Sequence, residues 1–207
     1  VNKRLPRHLP DDALIAQAQS GDTLAFTELV RRYEETVYRF SYKICRDKEK
    51  ASETLQDTFV NVFRKLNTFD GKAKFSTWLY AIVTNNCLMK HRKRKSDELE
   101  ESLEAYDHIH STDDAVRRPE LVSSEHSPAD IVMGKELRDI LDAAMLKLPK
   151  EYRVVFVMRD IEGRSSEETA GVLGLSNEAT KSRLRRARAF LRDQLSPYIS
   201  AHPELLR

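Results

Sequence analysis

The chain has 207 residues, 35 Lys/Arg against 33 Asp/Glu and a net charge of +2, which leaves room for one or two domains with a core each. It has no long apolar run, and its opening VNKRLPRHLP has no hydrophobic segment behind the positive charges, so neither a membrane span nor a signal peptide is expected. Six Gly and seven Pro are few, and apolar periods near 3.6 dominate, which predicts an all-α fold.

The small net charge hides an asymmetry. Residues 1–95 carry 19 Lys/Arg against 11 Asp/Glu, a balance of about +8. Residues 96–127 carry two against ten, about −8, and residues 128–207 carry 14 against 12, about +2. Nucleic acid responds to a local basic face rather than to the total. Cys45 and Cys87 fall within apolar helical patterns and read as reduced core residues of a cytosolic protein. No Cys/His cluster has zinc-ligand spacing, and neither a metal nor a cofactor is expected.

In chain order, Asp11 and Asp12 precede an apolar run (Leu14, Ile15, Ala18), as a helix start should. Ser20-Gly21-Asp22 breaks that helix, and Asp22 can cap a longer one with Phe26, Leu29, Val30, Tyr33, Val37, Phe40 and Ile44 as its core face. A third helix opens behind Asp47, with Ala51, Leu55, Phe59, Val62, Phe63 and Leu66 inward and Gln56, Asp57, Val60 and Asn61 on its flank. A polar flank with one embedded Val is, on pattern alone, a solvated face.

Phe69 to Lys95 reads FDGKAKFSTWLYAIVTNNCLMKHRKRK. Asp70-Gly71 marks a turn, Lys72 and Lys74 make the loop basic, and Ser76 or Thr77 can cap a helix behind Phe75. That helix carries Trp78, Tyr80, Asn85 and Asn86, then Lys90-His91-Arg92-Lys93-Arg94-Lys95. Aromatics beside cations can stack on exposed bases while the charges hold phosphate, and Asn side chains can read base edges. Trp78 alone is better read as core; the combination with six consecutive basic or titratable residues favours nucleic acid.

Residues 96–127 change character: sparse apolar residues, many acids, and Pro119 and Pro128 at the end. They read as an acidic, flexible linker, either a solvated spacer or a mimic of nucleic acid in a partner's basic channel. Residues 128–207 then form a four-helix unit. Leu137, Ile140, Leu141, Ala144 and Leu148 make one stripe before Pro149, and a helix with Tyr152, Val155 and Phe156 runs toward Gly163. Ser165 and Glu168 stand at capping-box spacing, Gly174 is placed to end that helix, and Ser176 can cap the next, expected to Leu195. Its inward stripe is Thr180, Leu184, Ala187, Leu191 and Leu195, with Lys181, Arg183, Arg185, Arg186, Arg188 and Arg192 around it. Two helices, a short Gly turn and a basic second helix describe a helix-turn-helix. A helical hairpin with a solvated basic face is the alternative.

Together these blocks resemble a bacterial RNA polymerase sigma factor of the extracytoplasmic-function (ECF) type. The matching stretches are DDALIAQAQSGDTLAFTELVRRY, ETLQDTFVNVF, FSTWLYAIVTNN with its basic tail, and the run from LPKEYRVVFVMRD to KSRLRRARAFL. The resemblance implies two small helical domains, 1–95 and 128–207, joined by the linker 96–127, and a protein that is not an enzyme. It places core RNA polymerase on Gln56, Asp57, Val60 and Asn61. It places the melted −10 promoter element on Lys72, Lys74, Phe75, Trp78, Asn85, Asn86, His91, Arg92, Lys93 and Arg94. The duplex −35 element falls to Asn177, Glu178, Thr180, Lys181, Arg183, Arg185, Arg186 and Arg188. It further implies an anti-sigma factor as partner, often membrane-anchored, a cytoplasmic location with sequestration at the inner membrane, a role in a stress or envelope response, and a linker threading through the polymerase. Thr169 and Thr180 stand where relatives carry aliphatic core residues; a buried Thr can satisfy its hydroxyl on a helix carbonyl. Two other functions compete: a self-sufficient helix-turn-helix regulator, which would need neither Trp78 with its basic tail nor the linker, and a decoy for an anti-sigma protein, which would tend to lose its DNA-reading arginines.

Overall fold

The computed structural model describes residues 9–89 and 128–202, which form eight α-helices. These are α1 (Asp11–Gln19), α2 (Thr23–Cys45), α3 (Lys48–Lys65), α4 (Phe75–Met89), α5 (Pro128–Lys147), α6 (Lys150–Phe156), α7 (Ser166–Leu173) and α8 (Asn177–Ala201). They group into two compact units, one drawn from residues 1–95 and 157–180, the other from 96–156 and 181–207.

In the first unit the helix starts follow local chemistry. Asp22 accepts from the amides of Leu24 (2.8 Å) and Ala25 (3.2 Å), and Asp47 accepts from that of Lys50 (3.0 Å), satisfying donors that no helical carbonyl can reach. Packing of α1 to α4 buries Leu14, Ile15, Leu29, Val37, Phe40, Ile44, Val62, Leu79 and Val83. Two expectations fail. Phe63 is not inward but 62% exposed, because it lies three residues after Val60 and shares that residue's outer face. Neither Ser76 nor Thr77 caps α4: the amides of Thr77 and Trp78 already bond to the Lys74 carbonyl, so the helix is running by Phe75.

Residues 157–161 close into a single π-helical turn, in which the Glu162 amide bonds to the Val157 carbonyl at 2.8 Å. Ser165 and Glu168 then form the capping box, each side chain accepting from the other's amide at 3.0 Å. Gly174 ends α7 at φ +65°, the left-handed conformation that glycine takes without a Cβ clash. Ser176 caps α8 through the Ala179 amide. The helix continues past Leu195 to Ala201 and includes Pro197.

The second unit buries Ala144, Met145, Leu148, Tyr152, Val154 and Val155 together with Leu184, Ala187 and Leu191. Arg153 is buried as well, and one of its terminal nitrogens donates to the carbonyls of Leu146 and Leu148, both at 2.8 Å. It supplies donors to carbonyls at the end of α5, where the dipole is negative.

Candidate functional site

Gln56, Val60 and Phe63 recur at helical spacing along the outer face of α3, and Val60 (47% exposed) sits on a ridge between two grooves. One groove is apolar, lined by Phe26, Phe59, Val60 and Phe63 with Gln56 and Arg64 at its edge; the Phe26 and Phe63 rings meet edge to face at 5.1 Å. The other runs between α3 and α4 and is lined by Asp57, Val60, Asn61, Ile82, Asn85, Asn86 and Met89 among others. The structure therefore gathers two sets of candidates that the sequence kept apart. Exposed Val60 and Phe63 form a contiguous apolar face of the kind that marks a protein contact.

Asn85 and Asn86 have different surroundings. Asn85 is exposed in the groove. The Asn86 amide is engaged at both ends, donating to Thr58 Oγ1 at 3.1 Å and accepting from Asn61 Nδ2 at 2.9 Å.

At the other end of α4, Lys72 and Lys74 are exposed on the loop, as a phosphate-holding role requires. The hydrogen bond and ion pair from Lys72 (2.7 Å) hold the Asp70 carboxyl below its ordinary range. Phe75 is buried rather than presented: its ring packs against Tyr33 (5.2 Å) and Phe69 (5.6 Å). Trp78 is half-buried, with Phe69 at 5.3 Å and Phe75 at 5.7 Å holding one side of the indole. Gln19, unremarkable in the sequence, ties this loop down by donating to the carbonyls of Leu66 and Phe69, both at 2.9 Å. His91, Arg92, Lys93, Arg94 and the linker 96–127 lie outside the described residues.

Glu162 was also missed. One of its oxygens meets Lys43 Nζ at 2.6 Å and the other accepts from the Tyr80 hydroxyl at 3.1 Å, while the Arg164 guanidinium lies 4.6 Å over the Tyr80 ring. Burial, then Glu162, push the Tyr80 phenol above its ordinary range. The only signal was a charged residue beside Gly163 at the end of an apolar run.

On α8, Glu178 and Lys181 are exposed, and Asn177, Arg183, Arg185, Arg186 and Arg188 are half-buried. Thr180 cannot face a ligand: it is fully buried and its hydroxyl donates to the Ser176 carbonyl at 3.0 Å. Tyr152 orders two of the arginines. Its hydroxyl accepts from Arg186 at 3.2 Å, and the Arg183 guanidinium lies 5.9 Å from its ring centre. Among the described residues, no group of three His, Cys, Asp or Glu could hold a metal, and no helix is long and apolar enough to cross a membrane.

A basic second helix behind a capped helix and Gly turn, together with an aromatic helix entered from a loop carrying Lys72 and Lys74, is the architecture of a DNA-binding protein. The family comparisons are specific: residues 29–97 match Sigma-70 region 2, and residues 138–191 match Sigma-70, region 4. The chain belongs to the ECF RNA polymerase sigma factors. It is 32% identical over 181 residues to the ECF RNA polymerase sigma factor SigW of Bacillus subtilis (strain 168), covering 87% of this chain and 94% of that one. It is 27% identical over 198 residues to the ECF RNA polymerase sigma-E factor of Escherichia coli (strain K12), covering 94% and 99%. Among solved structures, that of CnrH in complex with the cytosolic domain of CnrY matches with a TM-score of 0.57 and 28% identity, over 90% of this chain and 97% of that one. The chain is accordingly a transcription initiation factor that directs RNA polymerase to promoters, and not an enzyme.

Proposed function

We propose that residues 1–95 bind core polymerase and open the −10 element, that residues 128–207 read the −35 element, and that residues 96–127 link the two activities. The observation that supports the N-terminal part of this reading is the groove between α3 and α4, where Asp57 and Asn61 share walls with Asn85. Polymerase docks on the ridge formed by Gln56, Val60 and neighbouring Asp57 and Asn61. Lys72 and Lys74 hold the phosphates of the melted strand, Trp78 stacks on a captured base, and Asn85 meets another. The basic residues 91–94 continue the backbone contact.

Opening then needs no nucleotide hydrolysis. Stacking contributes about 1–3 kcal/mol per captured base, against a few kcal/mol to extrude it, so binding energy suffices once polymerase supplies the remaining contacts. In the −35 reader, Asn177, Glu178, Lys181 and Arg185 meet the groove, with Arg183, Arg186 and Arg188 close by. The balance of about +2 over residues 128–207 is small for an independent DNA binder, which fits reliance on polymerase. The factor works in a bacterial cytoplasm, in a stress or envelope response, and an anti-sigma factor, in some cases at the inner membrane, holds it inactive by covering the polymerase-binding face. The solved structure of CnrH, to which this chain is similar, holds the cytosolic domain of a second protein, CnrY, which fits a protein partner of this kind.

The test is reconstituted run-off transcription from genomic promoter fragments with core polymerase alone, the chain alone and both. Promoter-specific transcripts are expected only with both, and equal transcription by core polymerase alone would refute the function.

A further inference from the structure

Side chains of α3 and α4 pass hydrogen bonds in a single direction. Thr54 Oγ1 donates to the Lys50 carbonyl at 2.7 Å, and Thr58 Oγ1 donates to the Thr54 carbonyl at 2.6 Å. Thr58 is fully buried, and with its one proton spent it turns only lone pairs toward α4. The Asn86 atom that meets it must therefore be the NH2 group, which donates at 3.1 Å. That fixes the orientation of the amide and leaves Oδ1 facing Asn61, whose Nδ2 donates to it at 2.9 Å. The relay runs from a groove-lining residue into the interior of the helix pair.

We propose that Asn86 is a positioning residue for promoter opening: it holds Asn61 in place and sets α4 against α3, leaving base contact at this end of α4 to Asn85. The proposal rests on the polymerase and −10 assignments made above. An asparagine reads adenine by offering a donor and an acceptor together, and both polar atoms of Asn86 are already held within the protein, one N–H by Thr58 and one lone pair by Asn61, which fixes the amide plane. Asn85 is exposed in the same groove. Because the α3 ridge is where polymerase docks, the relay makes the docking face and the strand-capturing helix one mechanical piece.

The fold tolerates the test. Asn86→Ala leaves Thr58 still donating to Thr54 and releases Asn61 toward the groove, so no buried donor is stranded. Open-complex formation is measured by permanganate footprinting with core polymerase, on promoters that differ only in the −10 element. Asn86→Ala, Asn61→Ala, the double variant and Asn85→Ala are each used at saturating concentration. Asn86→Ala is expected to lower opening by one common factor on all promoters, between about two- and tenfold, the worth of one net hydrogen bond. Asn61→Ala, which also removes a side chain from the docking ridge, should show at least that loss and the double variant no more than Asn61→Ala alone, whereas Asn85→Ala should change the order of promoter preference. A change of promoter order with Asn86→Ala, losses that multiply in the double variant, or a loss that vanishes at saturation would overturn the assignment. Failure of the unsubstituted chain to open any promoter would overturn the function beneath it, and is told apart because it involves no substitution.

Discussion

Glu162 and Lys43 pair at 2.6 Å across 119 residues of sequence, and the second Glu162 oxygen holds Tyr80. The pair is mostly shielded, with 28% of the Lys43 side chain and 18% of the Glu162 side chain exposed, so it is screened less than a surface ion pair. A double-mutant cycle with Lys43→Met and Glu162→Gln is expected to give a coupling of about 1 kcal/mol in denaturant unfolding. The glutamine keeps the Tyr80 bond, which separates the two contacts.

Alkaline stability should depend on two tyrosines. Burial first, then Asp11, raises the Tyr33 phenol above its ordinary value of 10.0, and burial followed by Glu162 raises Tyr80 in the same direction. Since the fold favours the protonated phenols, their contribution is complete below pH 10 and is lost as the pH climbs toward their raised values. Tyr33→Phe and Tyr80→Phe should each flatten the fall in melting temperature between pH 10 and higher pH. An unchanged slope in both would contradict this.

The two buried threonines of the helix-turn-helix should respond differently to valine. The Thr169 hydroxyl is buried without a hydrogen-bond partner among the described residues, whereas that of Thr180 donates to Ser176. Thr169→Val is expected to stabilise the protein by about 1 kcal/mol, and Thr180→Val to give no gain. Thermal unfolding of the two variants makes the comparison.

Phe75 and Trp78 lie side by side but should fail differently. Phe75→Ala removes a buried ring and is expected to cost about 3–5 kcal/mol of stability. Trp78→Ala removes a half-buried one, and its main expected effect is on opening: a strong loss on duplex promoters and a smaller one on a pre-melted template, read by permanganate. Equal losses on both templates would argue against a role in opening.

The helix-turn-helix also allows a separation of contacts. Arg186→Ala should weaken −35 recognition, while Tyr152→Phe, which removes only the hydroxyl that accepts from Arg186, should have a smaller effect. Footprints on promoters with intact and scrambled −35 elements would distinguish them, and a Tyr152→Phe loss as large as that of Arg186→Ala would show that ordering dominates.

Much of the fold is legible where its chemistry is local, although neither Ser76 nor Thr77 caps α4 as that chemistry suggests. Asp22, Asp47, the Ser165–Glu168 box and Gly174 act within a few residues and could be read directly. The end of α2 could not, because Arg46 rather than glycine takes the left-handed position there, at φ +54°. Partners far apart in sequence were hidden too: Gln19 with the loop at Leu66 to Phe69, Asn61 with Asn86, and Lys43 with Glu162. Periodicity set Phe63 and Val62 in one stripe although adjacent residues point about 100° apart, and only the packing of α2 and α4 chose between them. The family resemblance puts Phe75 and Thr180 among the DNA-contacting residues, while burial assigns both to the core.

The dependence on polymerase is tested most directly by anisotropy of a labelled promoter duplex, titrated with the chain, with core RNA polymerase, and with both. Tight binding that requires intact −10 and −35 elements is expected only with both present. Equally tight, sequence-specific binding by the chain alone, unaffected by polymerase, would contradict it.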